Sequence, residues 1–342
     1  MILHESPMNQ HDHRFAFGVV PSRRLGNSLG INSIPYKTCS YDCSYCQVGP
    51  TVGRTIDRRR FFPVETIIRA ASGCMAPEHA PPPCIDFITI VPDGEPTLDA
   101  ELGSLIEQLH TLSHRVAVIT NGSLLWREDV REDLMAADWI SVKIDTIDPD
   151  IWRRINRPHE SLDLTRILEG ISRFAQAFTG TLVTETMLVD GFNHSDTSIE
   201  NLAGFIRSLH PSKAYLSIPI RPPVRSGVRP PDASRLTRVI SIMAEHGVPV
   251  VDLFEHESDP FQISSDLENQ LLGITAVHPI REEALLDIVT RSGMDWEVIR
   301  NMIENGLLIR TVHNGHVFYR KAHRQKDISG TEPIGGKEMV DA

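Results

Sequence analysis

Cys39, Cys43 and Cys46 place three thiols within eight residues at Cx3Cx2C spacing, short enough for one compact metal centre. Thiolates are soft ligands suited to iron-sulfur clusters or to zinc, so the spacing specifies a metal without naming it. Three ligands on a four-iron cluster leave one iron open to bind and reduce a further ligand, whereas a structural zinc site is closed. Five cysteines in a chain of 342 residues, three of them in one run, do not form a secreted disulfide framework; a reducing compartment and a metal fit better. Cys74 and Cys84, at either end of a Pro-rich loop, are too few for a second four-thiolate site, and Cys84, next to an apolar strand, reads as core.

Further polar residues recur where predicted strands end. Asp93-Gly94-Glu95-Pro96-Thr97 follows one apolar run and Thr120-Asn121-Gly122 the next; each is either a tight turn or a ligand contact. In Ser141-Val142-Lys143-Ile144-Asp145 the three polar residues alternate and share one face of a strand, which calls for a ligand or for a Lys143–Asp145 ion pair. Glu185 and Arg221 are further rim candidates. Pro21 to Gly26 carries Arg23 and Arg24, either to hold an anionic substrate group or to pair with surface carboxylates.

These residues need a scaffold of successive βα units. Short β-rich runs at Gly30 to Ile34, Ile85 to Val91, Arg115 to Thr120, Trp139 to Ile144, Thr181 to Val189 and Ala214 to Ile218 alternate with helical segments, including Leu102 to Leu112, Leu162 to Ala177 and Ser198 to Leu209. Six strands of this kind predict an α/β fold, a partial (β/α)6 barrel. A helix from Ala233 to His246 then leads to Val248 to Phe254, which closes or edges the sheet. Composition shifts near Ser258 to Ser265. Helices at Arg281 to Arg291 and Asp295 to Asn305, followed by strands Leu307 to Val312 and His316 to Arg320 around Asn314-Gly315, resemble a winged helix. The expected domains are 15–262 and 265–322, with a disordered tail at 323–342.

The 34 Lys and Arg against 45 Asp and Glu leave a net charge of −11, which argues against sequence-blind binding to phosphate backbones. Nucleic acid is therefore not an expected partner, although RNA stays open. Met1 to Arg14 lacks the apolar run of a signal peptide and no later run reaches membrane-spanning length, so a soluble, cytoplasmic protein is expected.

The cysteine run resembles that of the radical S-adenosylmethionine (SAM) superfamily, whose members bind a [4Fe-4S] cluster with a unique iron that chelates SAM. The resemblance covers about residues 15–262 and implies a radical SAM enzyme that cleaves SAM reductively, with an electron donor such as flavodoxin or ferredoxin as partner. It implies cluster ligation by Cys39, Cys43 and Cys46, with Tyr45 against the adenine unless it merely packs the loop. Gly94 and Glu95 match the family's Gly-Gly-Glu motif at the methionine ammonium, with Asp93 in place of the first Gly. Asn121 would meet the ribose, Ser141 and Lys143 the methionine carboxylate or ribose, and Asp145 would lie nearer the substrate. Pro21 to Gly26, Gly94 to Thr97 and Thr184 to Asn193 look most like a branch related to wyosine-forming tRNA-modifying enzymes. Those enzymes carry further cysteines ahead of this motif for a second cluster, and this chain has none before Cys39.

A rival reading is a zinc-containing nucleic-acid-binding regulator that reads DNA with the C-terminal winged helix. Its recognition helix, Asp295 to Asn305, would carry Asp295, Glu297 and Glu304 against Arg300 alone. Across 281–321, six basic residues face six acidic ones, so no electrostatic drive toward phosphate remains. This unit is expected to act as a substrate or partner clamp or to cap the open side of the barrel.

Overall fold

A computed structural model describes residues 15–76, 82–254, 267–313 and 315–322. The expected boundary near 262–265, the tail at 323–342 and Asn314 lie outside the described residues.

The apolar runs form one eight-stranded sheet. Its strands are β1 (Ala16–Ser22), β2 (Gly26–Ile31), β5 (Phe87–Ile90), β6 (Arg115–Thr120), β7 (Trp139–Lys143), β8 (Thr181–Met187), β9 (Lys213–Ser217) and β10 (Val250–Asp252), in that spatial order. The short β3 (Thr38–Cys39) and β4 (Gly53–Arg54) pair with each other outside it. From β2 to β10 every neighbour is parallel, and only β1 runs antiparallel, as a hairpin with β2. Parallel neighbours require crossovers, and these are α1 (Val64–Met75), α2 (Leu102–His110), α3 (Glu128–Leu134), α4 (Pro149–Ile155) with α5 (Leu164–Ala177), α6 (Asp196–Ser208) and α7 (Ala233–Glu245). Side chains cap several helix starts: Asp163 accepts from Arg166 N, Ser195 from Ser198 N and Asp232 from Arg235 N.

Strand alternation divides the interior. One face, with Ile88, Val118, Ile140, Val142 and Leu216, packs against Leu105, Ile167, Phe174, Leu202 and Met243 of the helices. The other carries an apolar plug of Phe87, Ala117, Trp139, Val183 and Tyr215. Two residues further along the same strands stand Thr89, Ile119, Ser141, Glu185 and Ser217, so that face turns largely polar toward the strands' C-terminal ends.

The six expected parallel strands are present and Val250–Asp252 edges the sheet. The first lies earlier than Gly30 to Ile34, and β1 was not anticipated. Gly18, at φ +98°, sits in a register shift between Phe17 and Val20 that breaks the two-residue period. Cys84 is exposed rather than core, whereas Cys74 is partly buried against the main core.

Beyond the sheet, α8 (Leu267–Val277), β11 (Ile280–Arg281), α9 (Glu282–Arg291), α10 (Glu297–Glu304), β12 (Leu308–His313) and β13 (His316–Lys321) form a unit with an antiparallel sheet ordered β11–β13–β12. Its core of Leu271, Ile274, Leu285, Ile299 and Met302 takes in Phe17 of β1. The Phe17 ring lies against Gly30, where an added Cβ would come within 2.2 Å of it. This unit thereby packs against β1, the antiparallel strand at one end of the sheet. No helix among the described residues is long and apolar enough to cross a membrane.

Because Phe17 anchors β1 in the core of the C-terminal unit, Phe17→Ala is expected to lower stability by about 3–5 kcal/mol. Urea unfolding checks this, and a wild-type midpoint would show that the covering unit does not depend on that contact.

Candidate active site

The cysteine loop is fastened from three sides. Glu95 N donates to Thr38 O at 3.1 Å, Ser44 N to Ile155 O at 2.8 Å, and Val224 N to Cys46 O at 2.9 Å. Ser40 Oγ lies 2.6 Å from Ser123 Oγ, and Trp152 Nε1 donates to Tyr41 OH at 3.2 Å.

Each sulfur faces a side-chain N–H donor. Lys37 Nζ stands 3.0 Å from Cys46 Sγ, and Asn121 Nδ2 and Asn156 Nδ2 stand 3.6 Å from Cys39 Sγ and Cys43 Sγ respectively. Burial pushes the Cys39 thiol up to about 11 and the Cys43 thiol up to about 12; Lys37 opposes the rise at Cys39, and Asp145 adds to it at Cys43. Burial works against the Lys37 ammonium too, but Cys46, Cys39 and Cys43 outweigh it and raise its pKa. Three half-buried thiols with a buried lysine and two amide donors among them suit a group bound through thiolates. Among the described residues, no three His, Cys, Asp or Glu side chains gather where a single metal ion would sit. Lys37 and Arg157, both next to this loop, adopt left-handed φ of +52° and +48°, a strain that packing must hold in place.

Gly94 and Glu95 support the loop from below. An added Cβ at Gly94 would come within 1.8 Å of Thr38 O, so this glycine permits the end of the strand to approach the cysteine loop closely. Glu95 is buried, with Oε1 accepting from Thr97 N at 3.1 Å, Thr97 Oγ1 at 2.7 Å and Thr120 Oγ1 at 2.5 Å. Its Oε2 accepts from Asn121 N at 2.8 Å, so this carboxylate ties the ends of β5 and β6 together. Asp93 is also buried, exchanges hydrogen bonds with Asn32 at 3.1 Å, and is pushed up to about 6 by burial. Asn121 donates to Ser40 Oγ at 2.9 Å as well as to Cys39 Sγ, and so faces the loop rather than open space.

Beside the loop lies a cavity of about 350 Å³, with Cys43, Tyr45, Cys46, Lys143, Glu185 and Arg24 in its wall. Lys143 Nζ sits 5.0 Å from the centre of the Tyr45 ring and 3.5 Å from Glu185 Oε1. Arg24 meets Glu185 at 2.6 Å, inside the cavity rather than on the surface. Burial would raise the Glu185 carboxyl, but Arg24 and Lys143 hold it down at about 2. Asp145 makes no ion pair with Lys143. It accepts from Tyr45 OH, from Asn156 Nδ2 at 2.6 Å and from Met187 N at 2.8 Å, and is not among the residues that line this cavity. Ser141 is fully buried with no hydrogen-bond partner for its Oγ. Arg221 reaches Gln47 Oε1 at 3.2 Å and His278 Nε2 at 2.9 Å, so the C-terminal unit contributes a wall of the cavity.

A sequence profile described as the radical SAM superfamily matches residues 33–203, half of the chain. The chain belongs to the radical SAM superfamily. Its cofactors are a [4Fe-4S] cluster and SAM, and it is an enzyme. This radical SAM enzyme is 43% identical over 323 residues to a UPF0026 protein of Methanocaldococcus jannaschii, covering 93% of this chain and 99% of that one. A UPF0026 protein of Synechocystis is 38% identical over 208 residues, 60% of this chain and 76% of that one. Among solved structures, a radical SAM methyltransferase from Sphaerobacter thermophilus shares the fold with a TM-score of 0.52 at 16% identity, over 67% of each chain.

Two outcomes follow from this geometry. Gly94→Ala should displace Thr38 and cost at least about 1–3 kcal/mol, with lowered iron uptake on reconstitution; normal stability and iron content would refute the contact. The second concerns pH. The folded pKa of Glu185 lies near 2, below the ordinary 4.5, so the unfolded chain binds more protons between those values. Its stabilisation is complete above about 4.5 and lost as pH falls through 2. Glu185→Gln should remove that part of the acid-unfolding profile and, by leaving Arg24 and Lys143 without their carboxylate, destabilise the protein at neutral pH by about 3 kcal/mol.

Proposed function

We propose that Cys39, Cys43 and Cys46 hold the [4Fe-4S] cluster and that SAM binds in the adjoining cavity, to be cleaved reductively at the start of radical chemistry on a substrate still to be identified. The observation that carries this reading is the set of three sulfurs, each facing an N–H donor, two of which, those of Cys43 and Cys46, belong to residues in the wall of the cavity. When bound, the cluster supplies one electron that splits SAM into methionine and a 5′-deoxyadenosyl radical able to take a hydrogen atom from the substrate. An electron donor such as flavodoxin or ferredoxin completes the reading.

The chain's own residues bind, orient and exclude water. Lys37, Asn121 and Asn156 stabilise the thiolates. Gly94 and Glu95 hold the cysteine loop on the strand ends, and Tyr45 offers its ring as a wall for the adenine while Asp145 and Asn156 fix its hydroxyl. Lys143 places an ammonium in the cavity, where it would meet the SAM carboxylate or ribose, and Ser141 brings an unpaired hydroxyl to the same inner face. Of the two polar residues considered for catalysis, Lys143 thus serves as a ligand contact and Asp145 as a positioning residue. Residues 15–262 serve as the radical SAM core, and 265–322 as a winged-helix-like cap whose Val277 and His278 reach the cavity.

Anaerobically reconstituted protein should hold about four irons per chain and cleave SAM when reduced with dithionite. Replacing Cys39, Cys43 or Cys46 by Ala should abolish both. Stoichiometric zinc without iron uptake, or unchanged iron binding in the Cys43→Ala protein, would overturn the assignment in favour of the zinc-containing regulator.

A further inference from the structure

The outer surface of the cysteine loop differs in charge from the chain as a whole. Three segments collar it. The first runs through β4, where Arg54 pairs with Cys39 and Thr55 N donates to Cys39 O at 3.1 Å. The second is Asn156-Arg157, whose carbonyls each accept from Asp42 N at 3.1 Å. The third is Val224-Arg225, fastened to Cys46 O. Each segment contributes an arginine to the collar. Arg54 is exposed, and the Arg157 and Arg225 side chains are 43% and 45% exposed.

Asp42 is the carboxylate they enclose, 13% exposed and shared by Arg157 at 3.2 Å and Arg225 at 2.7 Å. One carboxylate among three guanidiniums leaves the collar positive, in a chain of net charge −11. The next stretch adds Arg58, Arg59 and Arg60 against Asp57, although Arg58 is committed to Asp129 and Asp133 and Arg60 to Glu101. On the same strap as Arg54, Val52 leaves 49% of its surface exposed, a large apolar side chain beside the charges.

We propose that this collar is the docking surface for an acidic one-electron carrier protein, a proposal that rests on the reading of the three cysteines as cluster ligands. Charge complementarity selects the partner: a positive rim with an apolar contact at its edge fits a compact acidic patch, on a chain whose net charge of −11 does not otherwise attract acidic proteins. A long polyanion such as RNA would extend beyond the rim onto a chain that repels it. Position selects the function. Arg54 is the backbone partner of Cys39, and Arg225 follows the residue bonded to Cys46, so a protein seated here is separated from the thiols by little more than one strand of backbone. The reduced carrier gives up one electron and is oxidised by one; the electron passes to the cluster and then to SAM, and no atom or proton crosses the interface.

The test uses reconstituted full-length protein and a reduced flavodoxin as the probe. Affinity is measured by titration calorimetry at low and at raised ionic strength, and electron delivery by the optical oxidation of the flavodoxin. Arg54→Glu, alone and combined with Arg225→Gln, should weaken binding and slow electron delivery by about tenfold or more and flatten the salt dependence, with dithionite-driven SAM cleavage unchanged. Equal affinity and rate in the variants would overturn the proposal, as would an equal fall in dithionite-driven cleavage, which would make the arginines supports of the loop. Binding of tRNA lost in the Arg54→Glu protein, with no flavodoxin binding to wild type, would reassign the surface to nucleic acid. A wild-type protein that binds flavodoxin through Arg54 yet never cleaves SAM with dithionite would sink the reading of the cysteine loop and leave the surface standing.

Discussion

The contact between Gly94 and the carbonyl of Thr38 is the constraint on which the rest of the site depends. It brings the end of β5 against the start of the cysteine loop with no room for a side chain between them. Glu95, the next residue, spans to β6 through Thr120 and Asn121, and Asn121 then reaches Cys39. A single turn therefore joins two strand ends to one of the three sulfurs. Burying the Glu95 carboxylate is tolerable because four donors meet it, and satisfied in that way it holds the turn rigidly.

Charge in the site is arranged in pairs around that frame. Positive and amide donors face the three sulfurs, which favours thiolate over thiol once a metal group is present. Across the cavity, one carboxylate, Glu185, lies between Arg24 from the β1–β2 turn and Lys143 from β7. Lys143 also lies over the Tyr45 ring, so the cysteine loop and the inner face of the sheet are electrostatically coupled. The hairpin that supplies Arg24 also supplies Phe17 to the C-terminal unit, which links closure of the cavity to the packing of that unit.

Much of this was legible in the sequence because it is local. The Cx3Cx2C run, the alternation in Ser141 to Asp145 and the βα periodicity are properties of neighbouring residues, and they determined the cysteine loop, the inner face of β7 and the parallel sheet. Other features are invisible at short range. Asn156 stands 113 positions from the sulfur it faces, and Glu185 stands 161 positions from Arg24, so no spacing rule connects them. Lys37, two residues before Cys39, carried no pattern of its own; only its left-handed backbone and burial among thiols give it meaning. Tertiary structure also decided which partner each polar side chain takes. Asp145 and Lys143 share a strand face in sequence, yet the tyrosine hydroxyl claims one and Glu185 the other, because alternation fixes only the side of the sheet while the loops folded over the strand ends fix the neighbours.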